Sequence, residues 1–436
     1  MSDAMTISRS WRSAGAIRSK STASVAEETI GSSQWVLELQ PYVHHASLIA
    51  ALDELATHTN GANPFFESEF IAASVDRIGE PVKNLLVLWE RIGETEIARM
   101  AFPVVDTRIG LPPRHVLRAW SHPYAPLSTP LIDKRDAEET CLRFASLYGR
   151  LEPARHLPLV FADFATEDPA AMALGKALAN AGFATISTAY GSRSCLPPLG
   201  GRPVNAHLPI LASSKRRREL KRQLKKLGAL GKVEFEKVDE FEHMLVRFEE
   251  FLLLETRGWK GRKGTSIHIL RKTASFARQA VAALGDRGRA AIYSLRLDGR
   301  AIASLIVLRS GNRYFPWKIA FDAAYHAYSP GVHLILEASE DMLQLDGFAG
   351  ADSLATELSW IDRLWPARMQ LETLIIAPPD TPAAGRVPAV AQAVERELEV
   401  RRLARRLLRR NPPSPSAASA KPSAPRQSPA PETAGE

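Results

Sequence analysis

Three apolar runs in close succession constrain the fold of this chain more than any other feature: AAIYSLRL from Ala290, AIASLIVL from Ala301 and RYFPWKIA from Arg313. Each has the length of a strand and is rich in β-branched and aromatic residues. The connections contain Asp298-Gly299 and Gly311-Asn312, residue types that tight hairpins select because they take positive φ at low cost. The three runs therefore spell an antiparallel meander. A helix follows: Ser329-Pro330-Gly331 supplies an N-cap and first turn, and Val332, Ile335, Leu336, Met342 and Leu343 line one face up to Gly347.

Around this meander the periodicities extend in a definite order. KVEFEKV from Lys232 alternates as a strand, Phe241, Leu245, Phe248 and Leu252 recur at helical spacing within Asp239 to Thr256, and a second helix covers Ser266 to Leu284. Beyond Gly347 come a short strand near Ala351 to Leu354, a short helix at Trp360 to Trp365 and the strand MQLETLII. Such an order implies a mixed sheet flanked by helices, an α/β (α+β) fold. The first half repeats it: strand WVLELQ, helices from His44 and Pro64, hairpin NLLVLWE/IARMAFPVV, strand VLRAW, helix Asp136 to Tyr148, strand PLVFADF, helix Asp168 to Ala181 and strand FATISTAY. A chain of 436 residues has room for two copies of such a unit.

Hydrophobic residues at 45% and charged residues at 24% describe a globular protein, not a disordered or membrane-embedded one. Cys141 and Cys195 lie far apart without metal-ligand companions, so neither a disulfide framework nor a zinc site is expected. No apolar run approaches the roughly 20 residues that cross a bilayer. The start, MSDAMTISRSWRSAGAIRSKSTAS, lacks the apolar centre of a secretory signal, and a cytoplasmic location is expected. The expected layout is a disordered leader at 1–30, a first domain at 31–211, a second at 212–378, a basic amphipathic helix at 379–410 and a disordered Pro/Ser/Ala tail at 411–436.

KRRRELKRQLKKLGALGKVEFE, LLLETRGWKGRKGTSI, YFPWKIAFDAAYHAYSPGVHL and ADSLATELSWIDRLW resemble the CelD/BcsL-type branch of the GNAT acyltransferases. NPFFESEF in the first half is similar to that family too, so the resemblance spans about residues 35 to 377. It implies two tandem GNAT-like domains, akin to FemABX-type enzymes, and transfer of an acyl group from acetyl-CoA or another acyl-CoA, without metal. The family's association with exopolysaccharide systems implies a small-molecule or carbohydrate acceptor. One segment departs from the family: where relatives carry a Cys-Ala-x-x-Asp-His-Pro type stretch after the Asp-Ser pair, this chain reads DSLATELSW from Asp352.

Candidate residues follow from the residue types and the implied fold. A helix start with unpaired N–H groups and partial positive charge suits a phosphate, so Ser329, Gly331, Val332 and His333 are expected to hold the pyrophosphate of the donor. Asp322, at the end of the strand leading into that loop, is the leading candidate base, with Lys318 beside it to steady charge or to pair with Asp322. Glu357 is a second carboxylate candidate. Trp259 and Lys260, in the basic loop WKGRKG, and Trp317 are expected to contact the acceptor. No Ser-Pro-Gly equivalent opens the Asp136 helix, so the first copy is expected to be structural.

Eight Lys or Arg fall between Lys215 and Lys226, with Leu220, Leu224 and Leu227 forming an apolar stripe. A second basic helix runs from Val387 to Arg410. Together they hold much of the net charge of +8 and offer faces for an acidic polymer, a membrane surface at the periphery of the inner membrane, or nucleic acid. Two other readings stand beside acyl transfer from coenzyme A. One is an aminoacyl-tRNA-dependent transferase that grips RNA through the Lys215 to Lys226 helix, and the other a non-catalytic scaffold for an acidic partner.

Overall fold

The computed structural model describes residues 24–59, 61–208, 213–257, 267, 271–355 and 359–410. In chain order the first half contains β1 (Ser24–Ile30), β2 (Ser33–Pro41), α1 (Ala46–His58), α2 (Ser68–Ser74), β3 (Asn84–Ile92), β4 (Thr95–Ile109), β5 (Arg114–Ala119), β6 (Leu131–Ile132), α3 (Ala137–Tyr148), α4 (Glu152–His156), β7 (Leu159–Ala165), α5 (Pro169–Asn180), β8 (Ala184–Leu196) and α6 (Val204–His207). The second half contains α7 (Ser214–Gly228), β9 (Val233–Val238), α8 (Phe241–Arg257), α9 (Arg271–Asp286), β10 (Ala290–Leu297), β11 (Arg300–Ser310), β12 (Arg313–Phe321), α10 (Pro330–Leu343), β13 (Gly350–Asp352), β14 (Ala367–Ala377) and α11 (Val387–Arg410).

Among the described residues the strands join one 14-stranded sheet in the order β1-β2-β3-β4-β5-β7-β14-β8-β13-β12-β11-β10-β9, with β6 attached to β4. The repeat read from the sequence is visible in the pairing. β2 to β5 and β9 to β12 are antiparallel meanders that run inward from opposite edges, and each ends on a parallel neighbour, β7 beside β5 and β13 beside β12. The halves do not part where the sequence suggests. β14 leaves the second half and inserts between β7 and β8, while β8 pairs with β13 through Ala351↔Leu196 and Asp352↔Cys195. The expected boundary at 211/212 is therefore not a division of the sheet, because periodicity reveals which face a strand buries and not which strand it joins.

Two terminal expectations are corrected. Residues 24–30 of the expected leader form β1, paired with β2 along its whole length and pinned by Glu28, which accepts hydrogen bonds from Arg143 (3.1 Å), Ser146 (2.7 Å) and Arg150 (3.1 Å). Those partners lie on and just after α3, more than a hundred residues away, and leave no local signal. The helix expected at 379–410 begins at Val387, and its first turns are core: Val387, Val390, Ala391 and Val394 pack on Val116, Val160, Ile375 and Ala377. Its early turns bury one face and expose Pro388, Gln392, Glu395 and Arg396, whereas Glu399 to Ala404 are all exposed. Gly110 lets α11 lie close, since at φ +82° it has room only for hydrogen where a Cβ would stand 2.7 Å from Ala393.

The stretch Asn63 to Phe70 joins the halves. Asn63, fully buried, donates from Nδ2 to the carbonyl of Thr129 (2.8 Å) and accepts the Phe65 N–H at Oδ1 (3.1 Å). Phe65 packs edge-on against Phe70 and Phe315, and Phe70 against Phe276 and Trp317, so residues of both halves share one aromatic core. Glu67, fully buried, accepts a hydrogen bond from Arg289 of the second half at 2.7 Å. Burial pushes the Glu67 carboxyl up to about 7 despite the opposing pull of Arg289. A carboxyl raised in the folded state binds its proton more tightly there than in the unfolded chain, so its contribution favours folding at low pH. That contribution falls as pH rises from about 4.5 and is lost above about 7. Urea unfolding midpoints should accordingly decline between pH 5 and pH 8, and Glu67→Gln should remove much of that decline; an unchanged pH slope in the variant would refute the assignment.

Candidate active site at the opening of the second parallel pair

The parallel ladder between β12 and β13 holds at Arg313↔Gly350 and Tyr314↔Ala351 and then stops. β12 continues to Phe321, whereas β13 ends at Asp352, which pairs with Cys195 of β8 and not with β12. The end of β13 is turned by side chains. Asp352 Oδ1 accepts the Leu354 N–H at 2.9 Å, Ser353 Oγ accepts the Ala355 N–H at 3.3 Å, and Leu354 sits at φ +51°. A leucine in the left-handed region is strained and persists only where its surroundings impose it.

The opposite wall carries a bulge. Ile306 faces Lys318 and Val307 faces Pro316, so Trp317 is the extra residue in β12. An unbroken strand alternates its side chains between faces, but here both Trp317 and Lys318 turn toward Tyr124 of the first half. The indole N–H of Trp317 donates to the Tyr124 carbonyl at 2.8 Å, and Lys318 Nζ lies 4.2 Å from the centre of the Tyr124 ring. Tyr124 in turn stacks on His122. Burial, with Lys318 and Arg118 nearby, lowers the His122 pKa to about 4, so the ring is neutral at physiological pH. The Tyr124 N–H reaches His122 Nδ1 at 3.2 Å, which places the ring proton on Nε2.

The start of α10 rests on the free end of β12. A Cβ on Gly331 would contact Phe321 at 3.5 Å and Ile319 at 3.6 Å, so helix start and open strand meet at this glycine. Ser329 does not act as the expected side-chain cap. It adopts φ +51°, makes no cap hydrogen bond through Oγ, and its carbonyl accepts the N–H groups of Val332 (3.0 Å) and His333 (3.2 Å). Pro330 has no N–H, so the Gly331 N–H stands at the open end of the helix, whereas the Val332 amide is used within the turn. His333 is buried, its pKa lowered by burial, and its Nε2 has no hydrogen-bond partner among the described residues.

Other sequence-predicted residues take different places. Asp322 caps the 3-10 turn Ala323–Tyr328: Oδ1 accepts the Ala324 N–H (3.0 Å) and Oδ2 accepts from Arg300 (3.0 Å). Both oxygens are engaged, as in a cap residue, and Lys318 sits over Tyr124. Trp317, expected at the acceptor, is 5% exposed and belongs to the shared aromatic core. Trp259, Lys260 and Glu357 lie outside the described residues.

Sequence reasoning missed a buried polar cluster where the halves meet. Arg193 of β8, 3% exposed, donates to the Pro126 carbonyl at 2.8 Å and lies 3.3 Å from Asp352 and 3.9 Å from Asp163. Asp163 adopts φ +53° in the middle of β7. Burial raises the pKa of both aspartates, with Arg193 opposing it. Arg193 Nε, Ser128 Oγ and Thr129 Oγ1 are buried with no hydrogen-bond partner among the described residues, and Arg193 Nη1 meets Asp352 Oδ2 as an ion pair without hydrogen-bond geometry. Unsatisfied buried groups of this kind are costly and gather where a polar ligand or water completes them. Asp352 entered the sequence reading only as the start of DSLATELSW, and a lone arginine in GSRSCL carries no local sign of its partners. Glu255 was also missed. It is 2% exposed at the end of α8, accepts the Ile267 N–H at 2.7 Å, and its charge helps raise the Tyr124 pKa, after burial.

Comparison with known proteins bears on the second half. Residues 214–372 match the family described as acetyltransferase (GNAT) domain. No curated protein matches the chain by sequence. Among solved structures, FemX is similar with TM-score 0.44 and 11% identity over 77% of this chain and 96% of that one. L-PGS from Bacillus licheniformis gives 0.41 and 11% over 78% and 96%. A tandem GNAT protein from the clavulanic acid biosynthesis pathway gives 0.38 and 15% over 79% and 99%. Likeness at this level says nothing of what this chain binds. Among the described residues no helix is long and apolar enough to cross a membrane, and no group of His, Cys, Asp or Glu is arranged to hold a metal ion.

Proposed function

We propose that the second half transfers an acyl group from a coenzyme A thioester to an amine or hydroxyl acceptor. The observation that carries this reading is the open ladder between β12 and β13 with the start of α10 seated on the end of β12 at Gly331. A pantetheine arm is long and narrow, with peptide-like amides that hydrogen-bond to a strand edge, and its phosphates suit a helix start. The match of residues 214–372 to the GNAT domain supports the same donor.

In the reaction the acceptor lone pair attacks the thioester carbonyl carbon, a C–N or C–O bond forms, and the C–S bond breaks. The acceptor's proton passes to water or a carboxylate and ends on the departing sulfur. Asp322, with both oxygens occupied, serves as a cap in this scheme, and Glu255, near Tyr124 at the end of α8, is the carboxylate we put forward. The neighbourhood of Tyr124, Lys318 and the Arg193 cluster forms the acceptor side, with the first half contributing walls rather than a second donor site. The CelD/BcsL-type resemblance supports a sugar or exopolysaccharide precursor as acceptor.

Calorimetric titration of acetyl-CoA tests the donor site. Gly331→Ala places its Cβ at ordinary contact distance and should bind within about 3-fold of wild type. Gly331→Val, checked to be folded, pushes the helix start off Phe321 and Ile319 and should weaken binding at least about 30-fold, by the reorganisation that overpacking forces. Absence of binding by the folded wild type would overturn the proposal.

A further inference from the structure

We infer that the outward face of α7 is the docking surface for an acidic protein that presents the acyl group as a thioester on a flexible arm; the inference rests on the acyl-transfer reading and names what bears its donor. α7 lies beside the candidate donor site. Its Leu220 and Leu224 pack with Leu227 into the same core as Ile319, Phe321, Tyr325, Tyr328 and Val332, and the helix contacts the 3-10 turn that leads to Ser329.

The leucine stripe fixes where the charges point. At about 100° per residue, Lys215, Arg218, Arg222, Lys225 and Lys226 all fall within about 60° of the direction opposite the stripe. They span about 16 Å of helix at 1.5 Å per residue. Glu219, the one carboxylate on the helix, bonds to Arg222, and among the described residues Lys215, Arg218, Lys225 and Lys226 form no ion pair. Such a row, in which one cation of five has an ion-pair partner, repels itself and is relieved by an anionic surface.

The direction of the row decides what kind of anion it meets. The row points away from the core that Leu220 and Leu224 share with Val332 beside Gly331, so it faces a second body rather than a nucleotide held at that glycine. A bilayer is disfavoured because the helix has turned its leucines inward and keeps no apolar stripe to insert. An acidic carrier satisfies both features: its surface neutralises the row, and its thioester arm reaches past the 3-10 turn to the opening between β12 and β13. In the transfer the C–S bond on the arm breaks, the acceptor gains the acyl group, and the arm keeps its thiol.

The test is fluorescence anisotropy with a labelled, acetyl-loaded acidic acyl carrier protein, against wild type and a variant combining Lys215→Gln, Arg218→Gln, Lys225→Gln and Lys226→Gln. The variant should bind the carrier at least about 30-fold more weakly, wild-type binding should fall with salt, and acetyl-CoA affinity should stay within about 3-fold in both. Equal binding of the carrier by variant and wild type, or no binding by either, would overturn the inference. So would α7-dependent binding of an RNA or of phosphatidylglycerol vesicles without binding of the carrier. Acetyl-CoA titration of the wild type, run alongside, tests the coenzyme A reading separately from the carrier surface.

Discussion

Replacing Arg193 by leucine should destabilise the protein by about 3–5 kcal/mol at neutral pH, the cost of stripping one partner from a buried ion pair. The guanidinium lies within 3.3 Å of Asp352 and 3.9 Å of Asp163, and its removal leaves the buried Asp352 and the half-buried Asp163 without that cation. Arg193 now holds both aspartate pKa values down against burial, so in the variant they rise further. Protonation then relieves the variant more than the wild type, and the stability gap between them should narrow as pH falls from 8 toward 5. Denaturant unfolding at both pH values measures this. A gap independent of pH would mean that Arg193 acts through packing alone. Asp352→Asn combined with Arg193→Leu should recover part of the loss, because the charge left stranded at Asp352 is removed along with its partner.

Trp317→Ala should cost about 3–5 kcal/mol, as expected for truncating a fully packed aromatic side chain. Its ring meets Phe70, Tyr124 and Phe276, and its N–H holds the Tyr124 carbonyl, so the loss falls on the contact between the halves. Trp317→Phe keeps most of the apolar contact and forfeits the hydrogen bond, and should cost about 1–2 kcal/mol. Thermal unfolding of both variants checks the order. Were Trp317 instead an acceptor contact at the surface, Trp317→Ala would leave stability within about 0.5 kcal/mol of wild type and alter only turnover.

The two tryptophans singled out in the sequence show how far residue type reaches. Trp317 in YFPWKIA reads equally well as a platform for a sugar or as core. The decision comes from the bulge in β12, which turns Trp317 and Lys318 to the same side, and from Tyr124, which lies almost two hundred residues earlier. Asp322 had the same ambiguity between base and cap, and the partners that engage both its oxygens, Arg300 and the Ala324 N–H, are visible only in the structure. The loop with Trp259 and Lys260 lies outside the described residues and stays an expectation of sequence.

By itself the sequence determined what depends on neighbours along the chain. The meander at 290–320, the helix that begins at Pro330, the repeated order of elements in the first half and the basic stripe of α7 all follow from local periodicity and turn chemistry. Only the tertiary structure decided the insertion of β14 between β7 and β8, the pairing of β1 with β2 under Glu28, the meeting of Glu67 with Arg289, and the burial of Arg193 between Asp352 and Asp163. These are contacts between distant segments. Alternation along a strand records that one face is buried, whereas the identity of the neighbouring strand and of a buried charge's partner depends on which segments the whole chain brings together.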